Sequence, residues 1–210
     1  MRALERFVAQ RTDPALLAME RCELCAVPVG EGHAHVANLE TRTLLCSCRA
    51  CYLLFTNPGA GRGKFRAVPA RYRRLHGFAL TPARWEALEI PVAMAFLFAN
   101  STLGRVVAFY PSPAGATECL LALDAWRALL DANPVLADLE PDVEALLVRG
   151  CRGAPFECFV VPIDACYTLT ATVRRHWKGF DGGDEAAAAI DRFFADLRQR
   201  CDEPGAGAAS

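Results

Sequence analysis

Five of the ten cysteines in this chain fall within 30 residues, as Cys22-Glu-Leu-Cys25 and then Cys46-Ser-Cys48-Arg-Ala-Cys51. Two cysteines separated by two residues can turn tightly enough for both sulfurs to face one ion, and two such pairs complete the tetrahedral thiolate set that zinc prefers. Cys22, Cys25, Cys48 and Cys51 are therefore the expected metal ligands. Four thiolates leave no coordination position open, so the expected ion is a structural zinc that holds a module together. Iron, alone or as an iron–sulfur cluster, also accepts four thiolates and stands as the alternative, which would make the protein a redox carrier. Cys46 is a fifth thiol on the same strand face as Cys48 and could replace it or support it. His33 and His35 are further candidate ligands. Five thiols buried as small hydrophobes would be the plainer reading, but that leaves the paired spacing unexplained.

These residues need elements to position them. HAHVANLE at 33–40 and RTLLCSC at 42–48 read as two strands joined at Glu40 and Thr41, the hairpin that brings two cysteine pairs together in a zinc ribbon. The 22 residues between the pairs are slightly more than the commonest spacing. The organisation expected is an N-terminal helical segment over 1–20, a zinc-ribbon-like metal module over 21–55, a basic loop and linker over 56–84, an α+β domain over 85–201, and a disordered tail over 202–210. Within the α+β domain, the apolar runs 92–99 and 105–110 flank Asn-Ser-Thr-Leu-Gly as a hairpin, and further strands are expected at 118–123, 143–149 and 156–162. Thr81 and Pro82 open a short helix, and Asp124 to Asp131, Asp164 to Trp177 and Asp184 to Cys201 read as helices that start at capping residues. The fold class expected is α+β, a zinc-ribbon-like module followed by a mainly antiparallel sheet with helices on one face.

Other residues that resemble chemical motifs do not complete them. GAGRGK at 59–64 is one residue short of a phosphate-binding loop, and Phe65 stands where Ser or Thr would hold magnesium. His76 and His176 have no nucleophile or acid at triad spacing. Cys119, Cys158 and Cys166 lie in apolar company and read as small hydrophobes, whereas Cys151 lies between two arginines that would favour its thiolate. Asp181, Gly182 and Gly183 make a turn before the last helix. Pro111 to Gly115 reads as a stiff loop or a plain strand-to-strand connection.

The formal charge of −1 conceals a segregation. Residues 41–85 contain no acid but carry Arg42, Arg49, Arg62, Lys64, Arg66, Arg71, Arg73, Arg74 and Arg84. Residues 118–144 carry seven acids against Arg127 alone. The basic block could face nucleic-acid phosphate, an acidic protein surface or the chain's own acidic segment. No apolar run reaches the length of a membrane span, and the charged N-terminus does not read as a secretory signal, so the chain is expected to be cytoplasmic with reduced thiols.

The ordered blocks CELC, LLCSCRACYLLF, IPVAMAFLF, YPSPAGATECLL, NPVLADLEPDVEALLV, VVPIDACY, HWKGFDGG and IDRFFADL, over about residues 20–198, resemble an uncharacterised bacterial family encoded among genes for nickel-iron uptake hydrogenases. The resemblance implies a hydrogenase accessory protein active in maturation, assembly or electron-transfer partnering, bound to a hydrogenase subunit or a maturation protein. The family pattern usually has Ser where Cys119 stands, which implies that a thiol is not required there. The expected function is thus a non-enzymatic accessory or assembly factor. A redox iron protein and a nucleic-acid-binding regulator are the alternatives.

Overall fold

The computed structural model describes residues 20–151, 154–179 and 181–202, with residue 151 described by its backbone only. The helical segment expected over 1–20 lies outside the described residues except for Glu20, as does the expected tail except for Asp202, which ends the last helix. The chain divides between Ala67 and Val68 into two compact units.

The first unit is a three-stranded antiparallel sheet of β1 (Ala34–Asn38), β2 (Thr43–Ser47) and β3 (Phe65–Ala67), in the order β2-β1-β3. The hairpin read from the sequence is present, with His35 opposite Cys46 and Asn38 opposite Thr43. Asn38 Oδ1 accepts from the backbone N–H groups of Glu40 and Thr41, which closes the turn. A six-residue helix, α1 (Arg49–Leu54), follows β2 directly. The buried apolar cluster is small, with Val36, Phe55 and Ala67 flanked by Leu24, Tyr52, Ala60 and Phe65. The glycine-rich loop serves this cluster. Gly61 holds φ at 60°, and a Cβ there would come within 3.0 Å of the Phe65 ring and 3.1 Å of the Phe55 ring.

The second unit holds a six-stranded sheet in the order β4-β9-β8-β5-β6-β7, in which every pairing is antiparallel. Its strands are β4 (Arg73–Arg74), β5 (Met94–Asn100), β6 (Arg105–Ser112), β7 (Gly115–Cys119), β8 (Glu144–Cys151) and β9 (Ala154–Pro162). Its helices are α2 (Pro82–Ala87), α3 (Leu123–Ala132), α4 (Ile163–His176) and α5 (Gly183–Asp202). Thr81 caps α2 as expected, accepting from the Arg84 backbone N–H. By contrast Asp124 and Asp184 sit in the first turns of α3 and α5, where they favour the positive end of the helix dipole.

Two expectations are corrected. Helices cover both faces of this sheet. On one face Ala95, Leu97, Ala108, Leu146, Val148 and Cys158 pack with Trp85 and Leu88 around α2 and with Trp126 and Leu129 from α3. On the other face Phe96 meets Tyr167 of α4, and Phe159 meets Phe194 of α5, with ring centroids 6.2 and 6.0 Å apart. The physical reason lies in the central strands: 95–98, 145–148 and 158–161 are apolar at every position, so both sides of each strand require cover. The stretch 56–84 is likewise more than a linker, because it supplies β3 to the first unit and β4 to the second. Phe65 and Ala67 pack into the small cluster of the first unit, and Arg73 and Arg74 pair with Val160 and Phe159.

Three of the nine cations of the basic block, Lys64, Arg71 and Arg74, pair with the chain's own acids. Arg71 Nε lies 2.6 Å from Oε1 of Glu144, which is 0% exposed, and Arg71 Nη2 bonds both Oε2 of Glu144 and the Asp138 carbonyl. Lys64 pairs with Glu40. Glu157 accepts two bonds of 2.8 Å from Arg198 on α5 and one of 3.1 Å from Arg74. No helix among the described residues is long and apolar enough to cross a membrane.

Removing one partner of the buried pair leaves an uncompensated charge, so Arg71→Met is expected to lower the unfolding free energy by about 3 kcal/mol, and Arg71→Met/Glu144→Leu to regain a large part of it. Denaturant unfolding of the full chain, read by tryptophan fluorescence, checks this. Arg198's hydrogen bonds, opposed by burial, hold Glu157 below its ordinary value of 4.5. That contribution is present at neutral pH and is lost as the pH falls below the unfolded value and through the folded one. Glu157→Gln is expected to reduce stability at neutral pH and to flatten the acid limb of a stability-against-pH curve.

Candidate metal centre

Cys22 and Cys25 lie on a tight turn before the ribbon hairpin. The Ala26 backbone N–H donates to the Cys22 carbonyl at 2.7 Å and the Cys22 N–H to the Val27 carbonyl at 2.8 Å, which wraps the chain around the first pair. Ala26 closes that turn at φ 63°, in the left-handed region. Glu23 ties the turn to β2, since its N–H donates to the Cys46 carbonyl at 2.9 Å and its carboxylate accepts from the Cys46 N–H at 2.6 Å. The second pair arises differently. Cys48 is the N-cap of α1, with the Tyr52 N–H donating to its carbonyl, and Cys51 follows in the first turn. Sequence reading expects strand up to Cys48 and misses this helix, although Cys-Arg-Ala-Cys-Tyr-Leu-Leu places good helix formers directly after the strand.

These two turns bring the four Sγ atoms within 4.8 Å of one another. The Cys25 and Cys48 sulfurs are 3.6 Å apart. A tetrahedral zinc with bonds of about 2.3 Å sets its sulfurs about 3.8 Å apart, so the thiols are nearly at ligand spacing. Cys22 is buried, Cys48 and Cys51 are half-buried, and Cys25 is exposed.

The backbone prepares this cluster for positive charge. Burial works to raise the Cys22 thiol, but backbone N–H groups of Cys48, Leu24 and Cys25 outweigh it and bring it down to about 6. The Cys51 N–H lowers Cys48 in the same way. Cys51 is pushed up to about 12, by burial first and then by the neighbouring sulfurs. Burial and the crowding of the other sulfurs thus oppose a further thiolate at Cys51 until a cation takes the protons' place. The donor set and geometry fit zinc or iron, with all four positions of a tetrahedral ion supplied by the chain.

The remaining sequence candidates separate from this centre. Cys46 does not replace Cys48. It groups with His33 and His35 instead. Cys158 and Cys166 are buried, and burial raises both thiols, to about 12 for Cys158, as befits inert packing groups. Cys119 is half-buried beside the Ala108 carbonyl. The side chain of Cys151 lies outside the described residues.

Chelation of the full chain is expected to make residues 20–67 susceptible to limited proteolysis while the second unit persists as a resistant fragment. Cys22→Ser or Cys48→Ser should have the same effect without chelator. Mass spectrometry of the fragments checks both.

No curated protein and no solved structure matches this chain. A family model does match, over residues 21–201, and its span takes in the four-cysteine turns and, among the described residues, both sheets and helices α1 to α5 up to Cys201. The chain belongs to that family, a family of unknown function designated DUF5947.

Proposed function

We propose that this protein is a non-enzymatic accessory or assembly factor that serves nickel-iron hydrogenase, with a zinc-braced ribbon that binds a hydrogenase subunit or maturation protein. The observation that carries the reading is the convergence of Cys22, Cys25, Cys48 and Cys51, which together fill a tetrahedral ion and leave it no position for substrate. A closed metal site of this kind braces a surface. Arg42, Arg49 and Arg62 are exposed on the same unit, and Leu53 and Leu54 are 50% and 59% exposed there, a mixture suited to a protein surface with acidic and apolar features. The link to hydrogenase rests on the ordered motifs of residues 20–198.

Nucleic acid is the weaker partner, because Lys64, Arg71 and Arg74 are already paired with Glu40, Glu144 and Glu157.

A tagged full-length chain expressed with a hydrogenase operon is expected to retain a hydrogenase subunit or maturation protein, and Arg42→Glu/Arg49→Glu/Arg62→Glu to weaken that retention. Elemental analysis should find zinc without visible absorption. Iron with charge-transfer bands would move the reading to a redox carrier. Absence of any retained subunit, together with unchanged hydrogenase processing in a deletion strain, would overturn the proposal.

A further inference from the structure

The four-thiol centre leaves a second group of ligand-type side chains unaccounted for. His33, His35 and Cys46 each offer one ligand atom, and the three atoms lie within 4.8 Å of one another. Strand geometry explains the convergence. His35 and Cys46 are direct cross-strand partners of β1 and β2, and His33 stands just before the first residue of β1, close to both. The two imidazole rings are 5.0 Å apart, and all three side chains are half-buried.

The hydrogen bonding of His33 reveals which of its nitrogens is free to bind. Nδ1 lies 3.0 Å from the Gly30 carbonyl oxygen, with a Glu20 carboxylate oxygen 3.4 Å away. Both neighbours are acceptors, so Nδ1 carries the proton and Nε2 carries the lone pair. Nε2 is buried and has no hydrogen-bond partner. A buried acceptor left in that state is costly, and a cation would remove the cost. A backbone carbonyl or carboxylate on the distal N–H is also the arrangement that orients an imidazole towards a metal and raises its basicity. Cys46 is held in register by its two bonds to Glu23, so its sulfur is placed by fixed backbone.

We propose that His33, His35 and Cys46 form a second metal site, which takes a divalent cation of the cobalt-to-zinc series and leaves the fourth position to water or an exogenous ligand. Two imidazoles and a thiolate select such borderline ions over magnesium, calcium or manganese. On binding, the Cys46 S–H bond breaks, its proton passes to solvent and its electron pair forms the bond to the metal. The four-thiol centre is closed, whereas this one is open to exchange. The site stands independently of the partner proposed above.

The test uses the full chain, loaded first with one equivalent of zinc to fill the four-thiol centre and then titrated with cobalt(II). The expected result is one further equivalent bound, with a thiolate-to-cobalt charge-transfer band and the intense d–d absorption of a four-coordinate ion. Cys46→Ser should abolish the charge-transfer band. His33→Gln and His35→Gln should each weaken the second equivalent by about 100-fold while the first zinc is retained, which also reports that the ribbon remains folded. In the unsubstituted chain, zinc titration followed by imidazole nitrogen NMR should shift His33 Nε2, and this readout requires no variant. The proposal is overturned if cobalt only exchanges into the four-thiol centre, if no second equivalent binds, or if His33 Nε2 does not respond.

Discussion

Among the described residues of the first unit, three strands and a six-residue helix surround a small apolar cluster in which Val36, Phe55 and Ala67 are buried and Leu24, Tyr52, Ala60 and Phe65 pack against them. Burial of so few side chains offsets little of the backbone entropy that ordering about fifty residues requires. A cross-link would add what this cluster does not, and the two cysteine turns are placed to hold one. A divalent ion at four thiolates can contribute about 10–16 kcal/mol in small zinc modules, which is larger than anything this cluster offers. Much else in the unit is arranged to keep that centre in place. Glu23 joins the first turn to β2, the N–H groups around Cys22 favour its thiolate, and α1 begins at Cys48.

The second unit is stabilised by different means. Its central strands are apolar on both sides, so α2 and α3 pack on one face of the sheet and α4 and α5 on the other. Charge enters this interior only in compensated form. Glu144 is fully buried, and both of its oxygens are engaged, by Arg71 and by the Glu140 N–H. Glu157 joins three elements through Arg74 of β4 and Arg198 of α5. The excess of arginine in 41–85 thus belongs partly to the architecture, while Arg42, Arg49 and Arg62 stay exposed on the first unit.

Features set by neighbours in sequence were legible without coordinates. The Cys-x-x-Cys spacing, the hairpin turn at Glu40 and Thr41, the Thr81 cap and the alternation of strands and helices all arise from a few adjacent residues, and the structure reproduces them. The helix after Cys48 was less legible because strand and helix meet there within two residues. Two-sided cover of the sheet had a signal in the unbroken apolar runs at 95–98 and 145–148, which differ from the alternation of a half-exposed strand. The Arg71 to Glu144 pair had none, since 73 residues separate its partners.

The thiols show the same division most clearly. Sequence alone determined that two pairs of cysteines could face one ion, because that depends on the reach of a four-residue turn. It could not decide between Cys46 and Cys48, which alternation places on one strand face. Tertiary structure made that choice by ending β2 at Ser47, so that Cys48 turns with α1 towards Cys22 and Cys25. Cys46 stays in the ladder opposite His35, where the pairing register, a property of two strands together, sets it beside His33 and His35.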